Sequence, residues 1–440
     1  MSNFDLVLKL FLQLVVILIA CQLVAAAGRR LGQTKVVSEM VAGVLLGPTL
    51  LGLLAPQAQA WLFPTQMTVN AGELSTVIPH PSMSILYALS QLGLAIYMFL
   101  VGLEFNNELI LKRMRSAGAV SAAGIVVPLS LGALAAWLLF SRADIFAPGI
   151  SLGEAMLYLG ASMAITSFPM LARILYERGI SQTRMGTLTL AAGSLDDVVA
   201  WCLLAAVLAS VKGSPLILAL ALGGGLLYVL GMIAIVRPWL RPFGGSVAAE
   251  GRLSSSTFIK ILVLLMVCCW FTDVIGLYAV FGAFILGAVM PRGPLIAALR
   301  GQLELITVHL LLPVFFVYSG LNTRVGLINT AELLLIAAAL ILIAIVGKWA
   351  GCALAARAAG EGWRESITIG VLMNARGLME LIILNIGLQQ GIITPTLFTM
   401  MVMMAVVTTL MASPLFEAIY GRHMRRTATV GSAAAGAALS

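Results

Sequence analysis

The stretch Arg184 to Ser210 is an apolar run long enough to cross a bilayer, and near its middle it carries two adjacent carboxylates, Asp196 and Asp197. An ionised carboxylate at the centre of a membrane helix costs roughly 2.5 to 3.5 kcal/mol on insertion scales. Two side by side would not persist facing lipid. Intramembrane acids face a bundle interior or a water-filled cavity, and they mark ion or proton pathways. A single such acid is often a satisfied structural group, whereas a doublet rarely is.

Many further runs of this kind follow from a composition that is 61% hydrophobic and only 10% charged over 440 residues, which excludes a soluble globular domain. At about 20 apolar residues per crossing, thirteen spans are expected: 6–27, 36–54, 84–102, 117–140, 152–175, 185–210, 215–236, 257–274, 276–291, 301–320, 331–356, 365–390 and 395–420. The first is too long for a signal peptide and is followed by Arg29 and Arg30 in place of a small-residue cleavage site. Cys21, Cys202, Cys268, Cys269 and Cys352 all lie in apolar segments without ligand spacing and read as packing residues. The segment Ala55 to Met83, with Pro56, Pro64, Pro79 and Pro81, reads as an extended connection at the membrane surface.

The net charge of +8 does not call for a nucleic-acid partner, because its distribution is topological. Basic residues concentrate in alternate short loops, at Arg29/Arg30/Lys35, Lys112/Arg113/Arg115, Arg173/Arg178/Arg184, Arg237/Arg241/Arg252/Lys260, Arg292/Arg300, Arg357/Arg364 and Arg422/Arg425/Arg426. The opposite side carries only Lys9, Arg142, Lys212 and Arg324. Short cytoplasmic loops are the basic ones, so the N-terminus is expected outside and the C-terminus in the cytoplasm, with the membrane a bacterial inner membrane. Residues 427–440, rich in Ala, Gly and Ser, read as a disordered tail.

Thirteen spans divide as six, one and six, and a single linking span makes the second six run opposite to the first. This predicts an all-α membrane protein of two inverted repeats, whose binding sites lie near the midplane on discontinuous helices at matched positions. The fifth span of the first half contains Thr166-Ser167-Phe168-Pro169, and that of the second contains Asn374-Ala375-Arg376-Gly377. Proline removes a backbone donor and glycine weakens a helix, so both are expected breaks, crossing near the midplane.

At a rise of 1.5 Å per residue, Asp196 lies about 18 Å along its helix from Arg184, Lys348 about 14 Å from Arg357, and Arg376 about 18 Å from Arg364. The three groups therefore share a depth. Consecutive helical residues point about 100° apart, so one acid of the pair can meet Lys348 while the other faces a cavity. Such a set can exchange protons for a cation, which Thr166, Ser167 and freed carbonyls would also ligate, oxygen being the ligand of hard cations. Arg376 is read as the structural partner of Glu380, one turn on.

These residues resemble the monovalent cation:proton antiporters, the branch that includes bacterial sodium/proton and potassium/proton exchangers and plant cation/proton exchangers. The matching stretches are Ser38-Glu39-Met40 before AGVLLGP, MFLVGLEF at Met98 to Phe105, AITSFPMLARIL at Ala164 to Leu175, SLDDVVAW at Ser194 to Trp201, VGKWAGC at Val346 to Cys352, and NARGLMELIILNIG at Asn374 to Gly387. The resemblance implies a homodimer in the lipid bilayer. It divides the chain into scaffold helices at 1–116 and 257–328, a moving transport unit at 117–212 and 329–426, and a linker helix with its cytoplasmic loop at 213–256. It implies that Asp197 binds the cation or proton, that Asp196 pairs with Lys348, and that Thr166, Ser167 and the second break complete the site. Members with two acids at this place are typically electrogenic sodium/proton exchangers, while NARGLMEL is closer to the plant-like branch, which keeps potassium/proton exchange as the alternative. The transported metal ion is thus expected at Asp197 and Asp196, with no other cofactor and no nucleotide-binding domain.

Other signals are weaker. Gly223-Gly224-Gly225 lacks the Lys-Ser/Thr of a phosphate loop and reads as a close helix contact. His309, inside a span, reads as packing with a pH-sensing role as the alternative. An aspartyl protease would need acids from facing helices, and a channel would need rings of carbonyls or acids around a pore, so an enzyme and a channel are both disfavoured.

Overall fold

The computed structural model describes residues 2–421 apart from 32, 34, 65, 72–73, 105–113, 179, 182, 212–214, 252, 276–277, 322 and 324. Lys112, Arg113, Lys212, Arg252, Arg324, Arg422, Arg425, Arg426 and the tail 427–440 lie outside the described residues.

Ten helices among the described residues are long and apolar enough to cross a membrane. In chain order the helices are α1 (Asn3–Arg30), α2 (Lys35–Leu46), the short α3 (Leu51–Leu54) and α4 (Pro56–Leu62), α5 (Pro81–Glu104), α6 (Met114–Leu139), α7 (Leu152–Ala164), α8 (Phe168–Glu177), α9 (Arg184–Val211), α10 (Pro215–Gly231), α11 (Arg237–Glu250), α12 (Ser255–Val274), α13 (Ala279–Val289), α14 (Pro294–Ile306), α15 (Leu312–Leu321), α16 (Ala331–Ala358), α17 (Trp363–Met373), α18 (Leu378–Gln389) and α19 (Pro395–Phe416).

Two expectations about connecting segments need correction. The connection 55–83 is not merely extended: β1 (Gln66–Ala71) and β2 (Leu74–Pro79) pair antiparallel, with Gln66 opposite Pro79 and Ala71 opposite Leu74. The fold is helical with one hairpin, because a segment rich in Thr, Val and Ile between prolines satisfies its backbone best by pairing with itself. The loop expected after residue 236 is largely the helix α11, entered from α10 through a π-turn at Met232–Val236. Pro238 sits in the first turn of α11, directly after the π-turn, a kind of irregularity that commonly goes with a helical proline's missing N–H.

The chain parts into two compact units. The first comprises residues 1–27, 38–106 and 201–326. Its core includes Ile17, Cys21, Ala42, Leu62, Phe63, Leu86, Val314, Val317 and Leu321. Glu104 pairs with Arg300 at 2.7 Å. Within it α5 and α13 touch backbone to backbone: a Cβ on Gly102 would run into the Phe284 carbonyl and one on Gly287 into the Phe99 carbonyl, each within 2.9 Å of the opposing Cα. Gly102→Val is therefore expected to cost about 1–3 kcal/mol or more, read as a fall in the melting temperature of detergent-solubilised protein; an unchanged melting temperature would refute this contact. Among the described residues nothing would obstruct a Cβ on Gly223 and only Ile275, at 3.7 Å, would meet one on Gly224, so these two glycines, unlike Gly102 and Gly287, are not pressed against a neighbouring helix. His309 lies exposed in a π-turn at Thr307–Leu311. Cys202, expected to pack, is exposed, while the other four cysteines are buried.

The second unit comprises residues 28–37, 107–200 and 327–440 as far as they are described, and it holds both helix breaks. The α7 helix starts on a capping box, in which Ser151 accepts from the Glu154 N–H while Glu154 accepts from the Ser151 N–H at 2.7 Å. It ends at Ala164, where Ile165 turns extended (φ −69°, ψ 134°). Phe168-Pro169 restarts the chain as α8, and proline disfavours helix in the residue before it. The second break runs from Asn374 to Gly377, between α17 and α18. The loops at the far ends of these segments are clasped together, with Thr394 N–H bonded to the Ile145 carbonyl at 3.2 Å and Ala147 N–H to the Ile392 carbonyl at 3.3 Å. Beside this clasp Arg142 pairs with Asp144 at 2.9 Å and with Glu332.

Candidate functional site

A helix that stops inside a protein leaves its last carbonyls without partners. Those at the end of α7 are met by two buried cations. Arg376 donates through Nη1 to the Ser162 carbonyl at 2.9 Å and the Ile165 carbonyl at 3.3 Å, and through Nη2 to the Met163 carbonyl. Lys348, on α16, donates to the Ala164 carbonyl at 2.6 Å. Cations at a helix C-terminus also suit its dipole. The second break is closed in a different way: the Asn374 side-chain amide donates to the Gly370 carbonyl at 3.2 Å, and Asn374 and Ala375 N–H groups return to Val371 and Leu372. The two breaks are joined by a main-chain bond from Ser167 N–H to the Ala375 carbonyl at 3.0 Å.

Into this arrangement α9 presents its acidic pair, both members fully buried. Asp196 is saturated. Its Oδ2 accepts from Lys348 Nζ at 2.7 Å and from Thr166 Oγ1 at 2.7 Å, and its Oδ1 accepts from Ser121 Oγ at 2.6 Å. Thr166 Oγ1 also lies 3.2 Å from the Met373 carbonyl, but its one proton is better spent on the nearer carboxylate.

Asp197 stands in contrast. Neither of its oxygens accepts a regular hydrogen bond among the described residues, and the Phe168 N–H, at the start of α8, is turned toward it. The Ser167 hydroxyl is likewise without a partner. A Cβ on Gly377 would come within 3.4 Å of that hydroxyl and 2.8 Å of Met170, so the glycine keeps the space beside Ser167 open.

Glu380, in the first turn of α18, accepts from Arg376 Nη1 at 2.7 Å through Oε2, and its Oε1 has no partner among the described residues. The pair spans the break, since Arg376 precedes the helix that carries Glu380. The cluster thus buries three carboxylates, Asp196, Asp197 and Glu380, against two cations, Lys348 and Arg376. Fully ionised it carries one excess negative charge. A charge in such surroundings is tolerated only when paired or neutralised, and Asp197 is the carboxylate of the three that neither cation pairs with. Hard cations take oxygen ligands, and the Asp197 carboxylate, the Ser167 hydroxyl, Glu380 Oε1 and Asn374 Oδ1 are among the buried oxygens without a hydrogen-bond partner among the described residues.

All seven residues singled out in the sequence, Asp196, Asp197, Thr166, Ser167, Lys348, Arg376 and Glu380, are buried in the same unit. Sequence reasoning missed Ser121 on α6, because one serine in an apolar helix gives no signal of what it faces. It also missed Thr409 on α19, whose hydroxyl oxygen accepts the Arg376 N–H at 3.1 Å. Ser121→Ala would leave Asp196 Oδ1 without its donor and is expected to cost about 1.5–3 kcal/mol. Thermal stability should fall, and Ser121→Thr should restore it; an alanine variant as stable as the parent would sink this role.

Comparison with known proteins accords with this geometry. The family model described as sodium/hydrogen exchanger, transmembrane, matches residues 15–419. The chain is 37% identical over 417 residues to the Na+/H+ antiporter NhaS4 of Synechocystis, covering 94% of this chain and 97% of that protein. It is 34% identical to cation/H+ antiporter 18 of Arabidopsis thaliana over 93% of this chain and 33% identical to K+/H+ antiporter 1 of Saccharomyces cerevisiae over 95%, but it spans only about half of those two proteins (48% and 47%). In fold it is similar to the sodium proton antiporter MjNhaP1 of Methanocaldococcus jannaschii, with a TM-score of 0.62 at 14% identity, over 95% of this chain and 100% of that one. The chain belongs to the sodium/hydrogen exchanger family of monovalent cation:proton antiporters.

Proposed function

We propose that this chain exchanges Na+ for H+ across a membrane by alternating access, with Asp197 as the carboxylate at which cation and proton compete. The observation that carries this reading is the unequal treatment of two neighbours: Asp196 accepts three hydrogen bonds while buried Asp197 accepts none of regular geometry. Ser167 supplies a second oxygen to the cation. Thr166 and Asp196 join the ligand set only as Asp196 loosens from Lys348. Exchange is electrogenic in this reading, because the arriving cation displaces the proton of Asp197 and a further proton leaves from the Lys348–Asp196 pair. Arg376 and Glu380 brace the breaks, and no cofactor takes part.

The architecture proposed for this work is thirteen crossings, in two inverted six-span repeats joined by a linker beginning at residue 213. Breaks in the fifth segment of each half support it, as does their mutual backbone bond. The unit that holds the acids moves as an elevator while the other serves as scaffold and homodimer contact, in a bacterial inner membrane with the N-terminus outside. The division of the chain into two compact units, and its near-complete coverage of the Synechocystis relative, favour this assignment.

Potassium/proton exchange is the second reading, favoured by the likeness to the yeast protein. Reconstituted vesicles loaded with a pH-quenched dye distinguish the two. Na+ should dequench the dye and K+ should not, and a clamped membrane potential should drive the response on its own. Silence to both salts between about pH 6 and 9, the range in which such exchange must run near neutrality, would reject exchange altogether.

A further inference from the structure

Away from the acids, the first unit gathers unpaired positive charge. Arg237 and Arg241 are exposed on α11, Lys260 on α12, and Arg292 in the link between α13 and α14. These segments converge, since Gly244 of α11 abuts Pro291 at 3.3 Å from its would-be Cβ, and Lys260 Nζ lies 5.9 Å from the Phe243 ring. Phe243 in turn packs edge-on against exposed Trp239 with ring centroids 5.0 Å apart. Among the described residues none of the four cations pairs with a carboxylate; Arg292 donates only to the Leu103 carbonyl. Burial, and then the neighbouring Arg237, both press the Arg292 guanidinium below its ordinary proton affinity. Cations gathered with no carboxylate partner among the described residues are a repulsive arrangement, which an anion between them would convert into an attractive one.

The chemistry of that anion follows from where the cluster sits. It lies at the ends of apolar helices, next to the start of α12 and to the link 290–293, so it stands at headgroup height in a bilayer. Tryptophan belongs at that height, and Lys and Arg at a membrane surface attract anionic lipid. Phosphate is recognised in a planar, bidentate manner by arginine. We propose that Arg237, Arg241, Lys260 and Arg292, with Trp239 beside them, form a binding site for the phosphate headgroup of an anionic phospholipid. The site does not depend on which ion is exchanged.

The test uses the full chain purified in a neutral detergent and titrated with phosphatidylglycerol, phosphatidylcholine or inorganic phosphate, with bound lipid read by native mass spectrometry and the melting temperature read in parallel. Phosphatidylglycerol should bind and raise the melting temperature, and the other two should not. Arg237→Gln/Arg292→Gln should weaken phosphatidylglycerol binding by about tenfold or more, while Arg237→Lys/Arg292→Lys should keep most of it. Should the glutamine pair fail to fold, Arg241→Gln/Lys260→Gln supplies the same comparison at the rim of the cluster. Equal stabilisation by phosphatidylcholine, equal stabilisation by free phosphate, or undiminished lipid binding in the glutamine variants would overturn the proposal.

Discussion

Asp197→Asn is expected to reduce Na+-driven proton movement in reconstituted vesicles to background while leaving the fold intact. The argument is electrostatic. The buried cluster has three carboxylates and two cations, and the neutral amide removes the one charge that nothing else in the cluster answers. Asparagine keeps the shape and an oxygen but cannot trade a proton for a cation. Relieving an uncompensated buried charge should also leave thermal stability unchanged or raise it by about 1–3 kcal/mol. A variant that still exchanges ions at a substantial rate would remove Asp197 from its assigned role, whatever its stability.

Lys348→Met should do the opposite to stability. It takes the ammonium from between Asp196 and the Ala164 carbonyl, both in full burial, and leaves each facing an apolar side chain. Breaking a buried pair from one side costs on the order of 3–5 kcal/mol, so the melting temperature should fall sharply. The double variant Asp196→Asn/Lys348→Met should recover much of that loss, because the stranded charge is then gone as well. Additive losses in the double variant would mean that the two side chains do not act as a pair.

Much of this was legible in the sequence because a bilayer punishes uncompensated polarity. The apolar lengths announced membrane helices, and charges inside them had to find one another: at their equal depths Lys348 and Arg376 donate to one short row of carbonyls, Ser162 to Ile165, and Asp196 joins them through Lys348. The signals at Pro169 and Gly377 marked breaks because their effect on a helix is local. What stayed hidden depends on direction or on long-range pairing. Ser121 could not be told from any other small polar residue without knowing which way α6 faces. The hairpin at 66–79 was masked by its flanking prolines, although Thr68, Val69, Thr76, Val77 and Ile78 have strand character. The helix past residue 236 was hidden by Pro238 and Pro242, which read as an end until a π-turn is seen to lead into them.

The termination of α7 at Ala164 has a consequence for how this centre can be altered. Its exposed oxygens amount to about half an elementary negative charge, delivered by the main chain and therefore beyond the reach of side-chain substitution. Straightening the segment through residues 165–167 would withdraw that polarity at a stroke, stranding an ammonium and a guanidinium together in oil. The interruption is thus itself a counter-ion, and it and the two cations that lean on it can only be inherited as a set.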